Sequence, residues 1–454
     1  MTLDPVPAWL VDAAARLDEE FAFLPAVETA ALHPDQTEAI ARVLDETAHR
    51  LGDNYPYFHP LYAGQMLKPP HPIARAAYAL AMAINPNNHA RDGGRASSAM
   101  EVEAVCGLAA MFGWTAPDYL GHLTSSGTLA NLEALWVAGQ TAPGKRIVGS
   151  EQAHYTHQRI SAVLQMPYRS VDADHRGRIS LEALETQLRG GDVGTVVVTM
   201  GTTAIGAVDP LEEILALRQK YGFRVHADAA YGGYFKLIPE SLDEAARRAF
   251  AVIHQADSIV VDPHKHGLQP YGCGCVLFRD PAVGRFYKHD SPYTYFTSHE
   301  LHLGEISLEC SRAGAAAVAL WATHKLLPLV PGGEFARGLS LGRTAAIELD
   351  RRLRLHPQRF EALAGGRPEL DIVVWKVAAP TAQEASDRAQ RIFAASAERN
   401  LHLALVQLPQ PWFRHDSGPG KSERVTCLRS VLMKPEHHAW LDRIWKIFCD
   451  ACEV

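Results

Sequence analysis

Lys265 stands in the run Asp262-Pro263-His264-Lys265-His266-Gly267, directly after the apolar Ser258-Ile259-Val260-Val261. Hiding an ammonium at the end of a buried strand is costly, which favours the neutral, nucleophilic amine that condenses with an aldehyde. Upstream, Phe223 to Ala227 reads as a strand running into Asp228, with the small residues Ala229, Ala230, Gly232 and Gly233 close behind. A carboxylate at the carboxyl end of a parallel strand lies where open α/β sheets bind ligands, and small neighbours let a flat ring approach. Such a carboxylate can keep a ring nitrogen protonated. Taken singly, Lys265 also reads as a surface lysine, and Asp228 as a cap for the next helix or turn.

Thr124-Ser125-Ser126-Gly127-Thr128 precedes a helix marked by Leu129, Leu132, Leu135 and Trp136. Hydroxyls and a glycine at a helix N-terminus present backbone N–H groups and the positive dipole end, a cradle for a phosphate. Read alone, the string is equally a helix cap. His154 follows the strand-like Arg146 to Gly149, where an imidazole can stack on a planar group and steer protons or settle into a core. Gly201-Thr202-Thr203 adds another strand-end loop with hydroxyls.

Positioning these loops requires one sheet. The runs Arg146 to Gly149, Thr195 to Met200, Phe223 to Ala227, Asp257 to Val261 and Cys273 to Phe278 are mostly apolar throughout, as in strands covered on both faces. Helical spacing falls between them, at Ser98 to Phe112, Thr128 to Ala138 and Pro210 to Tyr221, which argues an α/β fold with a mostly parallel sheet. Two amphipathic helices, Ala8 to Leu24 and Pro34 to Leu51, come first, and their apolar stripes must pack on something larger. We read residues 1–60 as a helical arm for dimer contact, 61–330 as the large domain and 331–454 as a small α+β domain. Within the last, Gln410 to Glu423 reads as a mobile polar loop.

The chain has 454 residues, 47% of them hydrophobic, enough for a large core. Fifty-one acidic against 44 basic residues give a net charge of -7. No basic run suits a phosphate backbone, so no nucleic-acid partner is expected. No stretch approaches the roughly 18 apolar residues of a membrane span, and the acidic start does not read as a leader, so a soluble, unprocessed chain is expected. Seven scattered cysteines suit a reducing cytoplasm, and Cys449 with Cys452 lacks the βαβ setting of a redox motif. His154 with His157 and His437 with His438 lack a ligand set, so no metal is expected.

Together and in this order, these segments resemble the group II pyridoxal-phosphate-dependent decarboxylases of the fold-type I, aspartate aminotransferase superfamily, from about residue 55 to 330 and more loosely beyond. The resemblance implies a mostly parallel seven-stranded sheet, a homodimer and pyridoxal 5'-phosphate as cofactor. It implies that Lys265 bonds the cofactor aldehyde, with Asp262 and His264 beside it. Asp228 would pair with the pyridinium nitrogen, with Ala230 near it, and His154 would stack over the ring. Ser126, Gly127 and Thr128 would hold the phosphate, and the Thr202/Thr203 loop would line the site. Tyr295, or Tyr293, would return a proton to the substrate, unless both are interface aromatics. Arg312, His89 and Arg429 are candidate substrate contacts with structural roles equally open.

Met66-Leu67-Lys68-Pro69-Pro70-His71-Pro72 and Asp262-Pro263-His264-Lys265 are similar to microbial tyrosine or aspartate decarboxylases. The implied reaction is decarboxylation of an L-amino acid, tyrosine-like before aspartate or glutamate. An aminotransferase and a non-catalytic homologue are the alternatives.

Overall fold

A computed structural model describes residues 6–25, 32–91, 93–288, 307–413 and 423–453. Seven strands form the main sheet: β1 (Leu120–Thr124), β2 (Arg146–Ser150), β3 (Tyr168–Val171), β4 (Val193–Thr199), β5 (Arg224–Asp228), β6 (Ser258–Val261) and β7 (Gly274–Phe278). Their order is β1-β7-β6-β5-β4-β2-β3. Only β7 runs against its neighbours, so the other six point their carboxyl ends to the same edge.

Every residue of β4, β6 and β7 is buried, which is why these strands read as continuous apolar runs. The outer β3, Tyr-Arg-Ser-Val, buries only Val171, and β1 contains Gly121 and His122. Neither has the β-branched density that marks a strand, and sequence reasoning missed both. It also missed the helix Pro72–Met82, whose alanines pack where larger side chains would mark a clear stripe.

A second, wholly antiparallel sheet has the order β10-β11-β9-β8, formed by β8 (Phe360–Ala362), β9 (Ile372–Val377), β10 (Ala404–Pro409) and β11 (Arg424–Val431). Helices Glu334–Arg354, Ala382–Glu398 and Glu436–Ala451 pack with it around Trp375, Leu428 and Phe448. The expected polar loop at Gln410 instead begins as a short 3₁₀ helix, Gln410–Phe413, with Trp412 and Phe413 buried in the main core. Residues 414–422 lie outside the described residues.

At the N-terminus, helix Val6–Glu20 lies against Pro72–Met82, and helix Pro34–Leu51 starts at a proline with a His33–Gln36 capping box. Neither buries a single residue, and Trp9, Val43, Leu44 and Leu51 are exposed. Among the described residues, no helix is long and apolar enough to cross a membrane.

Candidate active site

The carboxyl ends of the parallel strands bring the chemistry-bearing loops together. Asp228, the last residue of β5, pairs in register with Thr199 of β4 and Val260 of β6, so the turn carrying Lys265 rises beside it. Lys265 Nζ lies 3.0 Å from Asp262 Oδ2. Its side chain is partly exposed, so the amine is ion-paired rather than stripped of all polar company, in contrast to the buried lysine expected above.

Asp228 is held by a residue that sequence reasoning had set aside. His157 Nε2 sits 2.8 Å from Asp228 Oδ2, with the imidazole fully buried and the carboxylate nearly so. Burial opposes the charge on Asp228. The His157 hydrogen bond and the neighbouring His157 and Lys265 outweigh that cost, and the carboxyl stays well below the usual carboxylate range. His226, two residues earlier on the same face of β5, bonds Ser258 Oγ through Nδ1 and Asn131 Oδ1 through Nε2, both within 2.8 Å. Burial lowers its pKa to about 3, so it is neutral. A signal for His157 existed, a histidine three residues after His154 at the start of helix Thr156–Val163, but nothing local says which carboxylate it meets.

His154 is within electrostatic reach of Asp228, Lys265 and Asp262. Burial is the main cause that lowers its pKa, with Lys265 and His157 adding to it against the two carboxylates. Its Nδ1 is 2.6 Å from Thr156 Oγ1, which fixes the ring. His264 is anchored by Nδ1 to the Cys273 carbonyl at 2.6 Å, and its ring lies against Tyr271.

Helix Gly127–Thr141 starts beside Asp262. Ser126 caps it by accepting from the Leu129 N–H at 3.2 Å, which leaves the N–H groups of Gly127 and Thr128 without helical partners. A Cβ on Gly127 would fall 2.4 Å from Asp262 Oδ2, so only glycine lets the two approach. The preceding loop is tied down by a further residue that sequence reasoning missed, Glu309, whose Oε2 accepts from the Ser125 N–H at 2.8 Å.

Other expected residues have different surroundings. Thr202 is buried and turns its hydroxyl to the Ala207 N–H at 3.0 Å, bracing its own loop. The carbonyls of Thr203 and Ala204 accept from Arg429, which also donates to the Gly64 carbonyl and to Gln65. Arg312 is enclosed: it pairs with Glu101 at 2.8 Å and donates to the carbonyls of Leu123 and Asn88, contacts that brace the turn. His89 belongs to the same turn, its N–H bonded to Asn87 Oδ1 at 3.1 Å. Tyr293 and Tyr295 lie outside the described residues. Among the described residues, no cluster of three His, Cys, Asp or Glu side chains could hold a metal ion.

A family model described as the pyridoxal-dependent decarboxylase conserved domain matches residues 31–329. The chain belongs to the pyridoxal-dependent decarboxylases. It is a pyridoxal phosphate-dependent amino acid decarboxylase.

The decarboxylase is 30% identical over 334 residues to the probable L-tyrosine/L-aspartate decarboxylase of Methanothermobacter thermautotrophicus, covering 72% of this chain and 86% of that one. It is 27% identical over 444 residues to the L-tyrosine decarboxylase of Enterococcus faecium, covering 73% and 71% respectively. Its fold is similar to Oryza sativa TDC solved with PLP and tryptamine, at a TM-score of 0.76 and 18% identity, covering 100% of this chain and 98% of the other. Mouse CSAD matches at a TM-score of 0.74 and 21% identity, covering 96% and 91%.

The site of the decarboxylase fits its cofactor. A buried, ionised carboxylate stands ready for a ring nitrogen, a lysine amine lies beside it, and free helix N–H groups suit a phosphate. Asp262 Oδ1 and Thr199 Oγ1 are buried polar atoms with no hydrogen-bond partner among the described residues, which suits a polar ligand at this edge.

Proposed function

We propose that this decarboxylase acts on an aromatic L-amino acid, tyrosine or a close analogue, and releases carbon dioxide and the corresponding amine. The observation that carries the chemistry is the meeting of Lys265, Asp228 and His154 at one sheet edge. Tyrosine is supported by the tyrosine-named relative from Enterococcus faecium, and the double name of the archaeal relative supports aspartate as the second reading.

Bound pyridoxal phosphate supplies the electron sink for the charge left when carbon dioxide departs. Lys265 would hold the cofactor through its amine, which in this structure is ion-paired to Asp262. Asp228, kept ionised, holds a proton at the ring nitrogen, while His157 fixes the carboxylate in place. His154, pinned by Thr156 and with its pKa lowered chiefly by burial, would stack on the ring. Gly127 and Thr128 offer N–H groups to the phosphate. Tyr295, with Tyr293 as the neighbouring alternative, returns a proton to the α-carbon.

The exposed apolar stripes of helices Val6–Glu20 and Pro34–Leu51 support a homodimer in which a second copy covers them. Seven free cysteines support a reducing, cytoplasmic setting.

A screen of the proteinogenic amino acids with purified holoenzyme tests the reading. Tyrosine is expected to yield carbon dioxide and tyramine; release from aspartate with none from any aromatic substrate would overturn the aromatic assignment. Lys265→Ala is expected to abolish both turnover and borohydride fixation of the cofactor.

A further inference from the structure

A cavity of about 570 Å³ opens next to the lysine turn. It is lined by His266, the residue after Lys265, but not by Lys265, Asp228, His154 or Gly127. Three helices begin at its wall, Pro72–Met82, Glu334–Arg354 and Glu436–Ala451, each bringing the positive end of its dipole.

The side chains at this wall add cations that the carboxylates of Asp371 and Glu436 answer at a distance and not by a salt bridge. Lys434 is 2% exposed, and its Nζ has a single hydrogen bond, to the Tyr62 carbonyl at 2.6 Å. Lys68 also lines the cavity; among the described residues it has no hydrogen bond or salt bridge, and Asp371 and Glu436 lie within its electrostatic reach. His266 is 1% exposed; neither ring nitrogen has a hydrogen bond, although Nε2 is 3.3 Å from Asp371 Oδ2. Glu334 and Glu436 lie at the rim, yet neither pairs with either lysine. Burial lowers Lys434 to about 7, with the charge of Lys68 adding to the effect and Glu436 opposing it, and burial lowers Lys68 to about 8 against the opposing charges of Asp371 and Glu436.

Cations left in this state are costly unless something neutralises them. The wall also carries His71 and Arg337, and its remaining part is largely apolar, with Pro69, Leu268, Phe335 and Leu339. We propose that this cavity binds an amphiphilic organic anion, its acidic head between Lys68 and Lys434 and its apolar body on the proline, leucine and phenylalanine wall. The proposal is independent of which amino acid the enzyme decarboxylates.

Calorimetric titration of the cofactor-loaded full chain with naphthalene-2-sulfonate tests it. One saturable site is expected, weakened at least tenfold in Lys68→Met and in Lys434→Met and unchanged in Lys265→Ala. Inorganic phosphate, which has the charge without the apolar body, is expected to bind at least tenfold more weakly than the sulfonate. The proposal is overturned if no saturable binding occurs, if both lysine variants bind as the parent does, if phosphate binds as tightly, or if Lys265→Ala alone abolishes the heat. Should Lys434→Met fail to fold by circular dichroism, Lys68→Met decides the matter, since that side chain has no hydrogen bond or salt bridge to lose among the described residues.

Discussion

His157 Nε2 and Asp228 Oδ2 stand 2.8 Å apart beneath the lysine turn, and neither group has meaningful access to water. The pair turns a strand-end carboxylate into a fixed anion. His157→Leu removes the donor while keeping an apolar filling, and the loss of one charge-assisted bond of about 1.5–3 kcal/mol corresponds to a fall in kcat of roughly 10- to 100-fold. His157→Gln, which can still donate, is expected to lose less. Steady-state kinetics together with the cofactor absorption band check this; a His157→Leu enzyme with parental kcat and spectrum would remove the positioning role.

The Gly127–Asp262 contact makes a second prediction. In Gly127→Ala the new methyl would fall 2.4 Å from a carboxylate that is itself 2% exposed, so Asp262 must move and its pairing with Lys265 suffers. Thermal unfolding is expected to show a cost of about 1–3 kcal/mol. Dialysis is expected to strip cofactor faster than from the parent, and equal retention would show that Asp262 yields without consequence.

Acid stability should bear the mark of His226. Its pKa is lowered to about 3, chiefly by burial, against an ordinary value of 6.5. A depressed pKa means that the stabilisation is complete above pH 6.5 and drains away as the pH falls toward 3, at about 1.4 kcal/mol per pH unit. Urea melts at pH 7 and pH 5 are therefore expected to differ by roughly 2 kcal/mol through this group alone. His226→Gln, which cannot charge, is expected to narrow the gap between the two melts; an unaltered gap would assign the acid limb to other groups.

Arg312 and Glu101 form a buried pair, with their side chains 6% and 1% exposed. Glu101→Leu leaves the guanidinium without its counter-ion and is expected to cost about 3–5 kcal/mol in chemical denaturation. Conservation of KM by any Glu101→Leu enzyme that folds would fit the bracing role of Arg312. A large rise in KM with undiminished stability would instead restore Arg312 as a substrate contact.

Local sequence was enough to determine the chemical types at the strand ends and the α/β alternation that presents them. Buried parallel strands are rich in apolar residues, so β4 and β6 announce themselves, and the polar residues at or just past the strand ends, Thr199, Asp228 and Asp262, stand out against that background. Elements without that contrast, such as β1, β3 and the alanine-rich helix Pro72–Met82, were not legible. Partnership was decided only by the tertiary structure. His157 meets Asp228 across 71 residues and Arg312 meets Glu101 across 211, because the sheet order and helix packing carry those side chains to one place. Hydrophobic periodicity reports which face of an element turns inward, and it carries no information about which distant polar group waits there.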